Sequence, residues 1–229
     1  MEALIGNTFL CTVITFASYV IGVKIFRKFN KYWLNPLYTV TIIVISLLSF
    51  FHVDYGHYTS GAGIFSLLLG TATVSLAVPL YKQMRMLKKH LWIIVYSVSS
   101  GTLAGVVCVM MLANEVHLNK DLMLSLIPKS VTVPIALSIS RSLGGIPSLT
   151  VLFVVISAVF SLVTAPLFLK LGQIRSRIAK GLALGTSAQA IGASRAFEWG
   201  ELEGTMGIIA MSISPLFMSL ITPLLFNLS

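Results

Sequence analysis

Residues 123–140 read MLSLIPKSVTVPIALSIS, an apolar stretch that two prolines and one lysine interrupt. Pro128 and Pro134 each lack the backbone N–H that a helix needs for its hydrogen bonds, and Lys129 adds a charge between them. A helix that faces lipid cannot leave backbone groups unpaired or carry an unpartnered charge without a large cost in free energy. The sequence therefore predicts a broken or re-entrant segment here and not an ordinary transmembrane helix.

The composition indicates that this segment belongs to a membrane protein. The 229 residues are 56% hydrophobic and 10% charged, and the mean hydropathy is +0.93. A globular domain carries about 25% charged residues. The formal charge of +9 would suggest a nucleic-acid partner in a soluble chain, but too few charges remain here to cover a water-facing surface. We expect the lipid bilayer as a partner and no nucleic acid.

Six further stretches are free of Asp, Glu, Lys and Arg and are long enough to cross a bilayer, which takes about 20 residues. A second segment, 181–194, is apolar but too short for a span. We therefore predict an all-α polytopic membrane protein with six full spans and two broken or re-entrant segments. The predicted spans are 3–23, 32–53, 55–81, 90–114, 142–169 and 204–229.

Three basic clusters predict the orientation of these spans. Cytoplasmic loops are enriched in Lys and Arg, so we place all three clusters in the cytoplasm and the N-terminus outside. Three segments separate the second cluster from the third, and an odd number of crossings would put one cluster outside. Segment 123–140 is therefore predicted to enter and leave from the outside. The clusters are Lys24, Arg27, Lys28 and Lys31; Lys82, Arg85, Lys88 and Lys89; and Lys170, Arg175, Arg177 and Lys180.

The two halves of the chain resemble each other at an offset of 115 residues. The sequence LGTA at 69–72 recurs as LGTS at 184–187, and apolar runs follow both at similar spacing. We predict a single transmembrane domain, 1–229, built from repeats 1–114 and 115–229, either parallel or inverted. Chance similarity between helices rich in small residues is the alternative. Repeats with interrupted segments are typical of secondary transporters, which bind their substrates between the repeats.

Three basic residues outside the clusters lie in or beside the broken segments: Lys129, Arg141 and Arg195. An intramembrane charge usually faces a cavity or a partner. We predict that Lys129, with Arg141 or Arg195, binds a small organic anion, helped by the positive ends of the broken helices. The alternative is that Lys129 and Arg195 extend to the membrane interface, or that Arg195 pairs with Glu198.

Neutral polar and small residues complete the predicted site. Hydroxyl and amide groups would hydrogen-bond the anion, whereas prolines and glycines would break helices or let them pack closely. For the small residues of 69–80, helix packing is the favoured function. The predicted substrate-binding residues are Lys129, Ser130, Thr132, Arg141, Thr186, Ser187, Gln189 and Arg195, and the predicted structural residues are Gly70, Thr71, Thr73, Pro79, Pro128, Pro134, Gly185 and Gly192.

No motif in the sequence indicates an enzyme, a metal or a cofactor. The sequence contains no CxxC, HExxH, Walker or GxGxxG pattern, and Cys11 and Cys108 lie far apart within apolar stretches. The four histidines flank apolar runs, which favours interfacial positions over metal ligation. We therefore expect no catalytic residues, no metal and no cofactor.

Four motifs, in order, resemble those of the LrgB/CidB family: 69–81, PKSVT at 128–132, GGIPSLT at 144–150, and 181–203. The resemblance covers nearly the whole chain. It implies a bacterial inner-membrane protein, often encoded beside a small holin-like partner and discussed as a modulator of murein hydrolase export and autolysis. The family is also related to a plastid glycolate/glycerate translocator, and bacterial members are linked to pyruvate uptake, which implies transport of small hydroxy or oxo acids.

The chain departs from the family pattern at two positions. Many members have proline where this chain has Thr71, and histidine where it has Gln189. A proton relay at Gln189 is not expected, because an amide does not titrate near neutral pH. The first departure implies a less kinked helix around Thr71.

Two functions follow as hypotheses. The first is a secondary transporter of small monocarboxylates, with glycolate, glycerate and pyruvate as candidate substrates. The alternative is an antiholin-like regulator of autolysis that acts with a small holin-like membrane protein. A homodimer is expected only from the general behaviour of transporters.

Overall fold

The computed structural model describes residues 8–29, 36–51, 53, 55–75 and 77–226. Throughout these residues the chain is helical, with short turns and no strand. It divides into two compact units, Met1–Ala72 and Thr73–Ser229. The prediction of an all-α protein is confirmed.

The first unit contains three helices and most of a fourth. Gly22 allows close packing between the first two helices, since a Cβ there would lie 2.8 Å from both Thr39 Oγ1 and Val40 Cγ2. The hydroxyl groups of Thr15 and Tyr58 lie 2.7 Å apart and join the first helix to the third. The helices are α1 (Thr8–Phe29), α2 (Pro36–Phe50), α3 (Tyr55–Gly61) and α4 (Gly63–Ser75), whose last residues belong to the second unit.

In the described part of the chain, three helices are long and apolar enough to cross a membrane. All three belong to the second unit. They coincide with the predicted spans 90–114, 142–169 and 204–229. Within the predicted span 55–81, in contrast, a turn at Ala62 separates α3 from α4. The elements of the second unit are α5 (Ala77–Lys82), α6 (Met84–Lys89), α7 (Leu91–Glu115), α8 (Lys120–Leu126), a 3₁₀ turn (Ile127–Ser130), α9 (Val133–Leu143), α10 (Pro147–Leu171), α11 (Arg177–Trp199) and α12 (Glu201–Phe226).

Helix α11 is a hairpin. Its backbone departs from helical geometry at Gln189, with φ 52° and ψ −132°. A Cβ on Gly192 would collide with the carbonyl oxygen of Leu184, although a straight helix would separate these two residues by about 12 Å along its axis. The chain therefore reverses at Gln189. We call 177–188 the descending limb, Gln189 the apex, and 190–199 the returning limb.

Glycines let the hairpin pack against α12. A Cβ on Gly181 would collide with the carbonyl oxygen of Glu203, and a Cβ on Gly185 with that of Gly207. Small residues at such contacts let two helix backbones approach closely. At the base of the hairpin, Arg177 donates from Nε and Nη2 to the two carboxylate oxygens of Glu203, at 2.8 and 2.9 Å. The hairpin is thus held along its length and at its base.

The segment 123–140 is broken, as its prolines predict. The 3₁₀ turn follows α8 directly, Val131 is extended, and α9 begins after Thr132 with Pro134 in its first turn. The N–H of Ile146 donates to Ser125 Oγ at 2.7 Å, whereas a continuous helix would separate these residues by about 30 Å. This segment therefore also folds back on itself.

Two apolar clusters hold the broken segments in place. Ile127 and Val131, at the break, are buried together with residues of α7, α10 and α12. Leu182, on the descending limb, is buried with Ile94 and Val98 of α7 and with residues of α12. Both breaks are therefore surrounded by protein, which is the setting in which non-helical backbone is tolerated at membrane depth.

We predict that Gly185→Ala destabilises the second unit, because the added Cβ would meet the backbone of Gly207. Overpacking of this kind costs about 1–3 kcal/mol. Thermal unfolding of the purified protein in detergent, followed by tryptophan fluorescence, measures the change. The control is Gly105→Ala, since a Cβ there has no atom within 4 Å, and it should leave the midpoint unchanged or raise it. Equal midpoints for the two variants would contradict the hairpin packing.

Candidate functional site

The apex of the hairpin contacts the break in segment 123–140. The Gln189 amide nitrogen Nε2 donates to the carbonyl oxygen of Ser130 at 2.6 Å and to Oγ of Ser214 on α12 at 2.9 Å. Gln189 is 7% exposed, so these bonds form away from solvent. One side chain thus connects the two broken segments and α12.

The backbone at the apex is strained. A positive φ is uncommon for a residue other than glycine, and such conformations cost about 1–3 kcal/mol. Such a conformation persists where neighbouring groups hold it in place. At the apex, the hydrogen bonds of the Gln189 amide do so. Two further polar atoms in this region, Gln189 Oε1 and Thr132 Oγ1, are buried without a hydrogen-bond partner in the described structure. Buried polar atoms without partners are rare and are available to a ligand or a water molecule.

A cavity of about 400 Å³ lies between α7, α10, the descending limb and the break. Most of its lining side chains are small or carry hydroxyl groups. Among the described lining residues, Lys129 is the only charged one. The full lining is Ser97, Gly101 and Gly105 on α7, Lys129 and Ser130 at the break, Ser157 and Ser161 on α10, and Ala179, Leu182, Ala183, Thr186 and Ser187 on the descending limb.

Helical spacing explains this lining. Each helix contributes residues three or four positions apart, which lie on one helix face. On α7 the face is built from Ser97, Gly101 and Gly105. A Cβ on Gly101 would meet only Thr186 Cγ2, at 3.7 Å, and a Cβ on Gly105 would meet nothing. Because Gly101 and Gly105 carry no side chains, α7 leaves room for the cavity.

The cavity has a positive electrostatic character. No described carboxylate forms an ion pair with Lys129, and no acidic residue lies among the described lining residues. Two half-helices, α9 and the returning limb, also begin at the apex contact, next to Gln189 and Ser130. Helix N-termini carry a partial positive charge. The arrangement suits a small anion with hydrogen-bonding groups.

The structure brings part of the predicted site together. Four of the predicted residues line the cavity, namely Lys129, Ser130, Thr186 and Ser187. Gln189 lies next to the cavity and donates to the Ser130 carbonyl at the break. The other predicted substrate-binding residues, Thr132, Arg141 and Arg195, are outside the lining: Thr132 has a buried hydroxyl at the start of α9, Arg141 is exposed near the end of α9, and Arg195 pairs with Glu198 on the returning limb.

The predicted structural residues fall into three groups. Gly185 and Gly192 stand at close contacts of the hairpin. Pro128 is buried in the 3₁₀ turn and Pro134 begins α9. In the first half of the chain, Thr71 is exposed and donates to the Leu68 carbonyl at 2.9 Å, while the surroundings of Gly70, Thr73 and Pro79 lie outside the described part of the structure.

Sequence reasoning missed the residues that α7, α10 and α12 contribute. The signal was present on α7 and α10, where small residues recur every four positions within apolar helices. Ser214 carried no such signal, because its function depends on contact with a residue 25 positions away. The missed residues are Ser97, Gly101, Gly105, Ser157, Ser161 and Ser214.

A smaller pocket of about 190 Å³ lies between α9 and α12. On α12, Glu203 lies at the hairpin base, Ser214 at the apex, and the pocket residues Ser219 and Thr222 further along. The descending limb, which lines the cavity, packs against α12 at Gly207, between Glu203 and Ser214. The pocket and the cavity are therefore on opposite sides of the contact between Gln189 and Ser214.

Residues 15–228 match the model of the LrgB-like family. The chain is 39% identical over 212 residues to the uncharacterized protein YxaC of Bacillus subtilis, covering 93% of this chain and 92% of that protein. It is 36% identical over 218 residues to the antiholin-like protein LrgB of Bacillus subtilis, covering 91% of this chain and 94% of that protein. No solved structure matches the chain.

We predict that a cysteine in the cavity reacts faster with anionic than with cationic thiol reagents. In a chain whose Cys11 and Cys108 are replaced by serine, Ser187→Cys would report the local potential. Adding Lys129→Gln should lower the anionic rate and raise the cationic rate about fivefold each, and so lower their ratio about 25-fold, since one nearby charge contributes about 1 kcal/mol in a solvated site. The control, Arg141→Gln, should leave the ratio unchanged. If the ratio were the same with and without Lys129→Gln, the position of Lys129 in the cavity lining would be contradicted.

Proposed function

The chain belongs to the LrgB-like family of membrane proteins, and from this premise we propose that it transports small organic anions across the bacterial cytoplasmic membrane. The observation that carries this proposal is the cavity with a single lysine beside the contact of two broken helices. Broken helices that meet at a binding site are characteristic of secondary transporters. A transporter of this kind has no need of a metal, a cofactor or a catalytic residue.

The chemistry of the lining favours a small monocarboxylate. The Lys129 ammonium would bind the carboxylate, and the hydroxyl groups of Ser130, Thr186 and Ser187 would bind a second oxygen, either a hydroxyl or a ketone. A cavity of about 400 Å³ holds such an anion with room for water. Glycolate, glycerate and pyruvate have these features.

The apex contact would act as the gate between the two sides of the membrane. The cavity lies on one side of Gln189 and the smaller pocket on the other. If the bond from Gln189 to Ser130 breaks while the base of the hairpin stays paired through Arg177 and Glu203, the two spaces would connect. Alternating access would then need only a movement of the apex.

We extend the proposal to the topology: six full spans, two re-entrant segments, a twofold repeat of 1–114 and 115–229, and an N-terminus outside. One feature of the first half supports the repeat. The motif LGTA at 69–72 recurs as LGTS at 184–187, which lies on the descending limb just before the break at Gln189. A homodimer belongs to the same proposal.

We predict that proteoliposomes containing the purified chain take up at least one of labelled glycolate, glycerate and pyruvate. Lys129→Gln should lower the initial rate by at least about thirtyfold, because loss of one partner from a buried charge pair costs about 2–5 kcal/mol. The control is Lys120→Gln, which removes an exposed charge outside the cavity and should leave the rate unchanged. Uptake equal to that of empty liposomes for all three anions would refute the transport function.

The names of the relatives favour a second function. Several are called antiholin-like protein LrgB, and by analogy the chain would assemble with a small holin-like membrane protein and restrain murein hydrolase activity and autolysis. This function depends on packing surfaces and has no need of an anion in the cavity. The effect of replacing Lys129 therefore distinguishes the two functions.

We predict that, in cells lacking the native protein, wild type and Lys129→Gln differ in growth on the transported acid. A regulator that does not transport would instead restore normal autolysis equally well with either variant and would co-purify with a small membrane protein in both cases. Autolysis rates, acid uptake and co-purification, measured on the same strains at equal expression, distinguish the outcomes.

A further inference from the structure

We propose that a second basic pocket, at the base of the hairpin, binds the headgroup of an anionic phospholipid. The pocket has a volume of about 390 Å³ and is lined by Pro166, Leu169, Lys170, Ile174, Lys180 and Trp199. It shares no lining residue with the cavity around Lys129. This site does not depend on the transported anion.

The two lysines make the pocket cationic. Lys170 lies near the end of α10 and Lys180 near the start of the descending limb, and no described carboxylate forms an ion pair with either. Glu203 lies within electrostatic range of Lys180, but both its oxygens accept hydrogen bonds from Arg177. Two ammonium groups in one pocket without a paired acid favour a phosphate group.

The apolar surroundings favour a lipid over a soluble anion. Pro166, Leu169 and Ile174 form the apolar part of the lining, and the neighbouring α10 residues Leu167 and Phe168 are 56% and 62% exposed. A free phosphate would gain nothing from these side chains, whereas acyl chains would cover them. Basic pockets between helices on the cytoplasmic side of a membrane are typical sites for acidic lipid headgroups.

A lipid in this pocket would stabilise the hairpin. Lys180 lies on the descending limb, Trp199 ends the returning limb, and Lys170 lies on α10, so one headgroup would contact all three. A tryptophan next to lysines is also characteristic of the membrane interface. Bound lipid should therefore raise the thermal stability of the second unit.

The test is the thermal unfolding of the full chain in detergent with added lipid. We expect phosphatidylglycerol to raise the midpoint and phosphatidylcholine to leave it unchanged. The double variant Lys170→Gln/Lys180→Gln should lower the apparent affinity for phosphatidylglycerol about thirtyfold, since each ammonium in direct contact with the phosphate contributes about fivefold in a solvated site. The matched control, Lys88→Gln/Lys89→Gln, removes the same charge from exposed positions outside the pocket and should keep the full affinity.

Two further measurements keep the result interpretable. Lys170→Arg/Lys180→Arg retains the charge and should retain the lipid response, even if the glutamine variant folds poorly. Inorganic phosphate replaces the lipid in a parallel series. Equal responses of the glutamine variant and the control, a response to phosphatidylcholine, or a full response to inorganic phosphate alone would each overturn the lipid site.

Discussion

At membrane depth a helix break exposes backbone groups that water cannot satisfy, so the protein itself must supply their hydrogen bonds. In this chain the amide of Gln189 does so, by donating to the Ser130 carbonyl and to the Ser214 hydroxyl. These bonds offset the strain of a positive φ at the apex and fix one broken segment against the other. The position of Lys129, next to Ser130, depends on the same contact. The cavity therefore exists in its present shape because one buried side chain joins two breaks that are 59 residues apart in the sequence.

The rest of the hairpin is arranged around that contact. Gly181 and Gly185 bring the descending limb against α12, and the pair of Arg177 with Glu203 holds its base. The opposite face of the descending limb lines the cavity, where α7 contributes glycines and no large side chains. Charge-assisted bonds at the base are stronger than the neutral bonds at the apex. A structure of this kind would move at the apex first, which is where an anion bound at Lys129 would act.

Much of the fold could be predicted because its signals are local. The long apolar stretches predict α7, α10 and α12, and the prolines around Lys129 predict the break between α8 and α9. The sequence predicts a broken or re-entrant segment at 181–194, but the position of the reversal at Gln189 could not be predicted, because a glutamine among small residues does not indicate a turn. The contacts that hold the turn are with Ser130 and Ser214, far away in the sequence. The charged residues were partly predictable. The prolines around Lys129 favour it over Arg141 and Arg195, and of these three only Lys129 lines the cavity. The alternative of an ion pair between Arg195 and Glu198 is open in the sequence, and the structure forms that pair.

The distance between Lys129 and a bound carboxylate tests this interpretation most directly. Solid-state NMR on the chain in lipid bilayers, with ¹⁵N-labelled lysine and ¹³C-carboxyl glycolate, glycerate or pyruvate, measures the dipolar coupling between the two labels. A hydrogen-bonded ammonium and carboxylate, with N···O of about 2.8 Å, place the carbon within about 4 Å of Nζ. We expect a coupling of that size for at least one of the acids and its loss in Lys129→Gln. The absence of any coupling in the wild type, or a coupling that persists in Lys129→Gln, would contradict an anion site at Lys129.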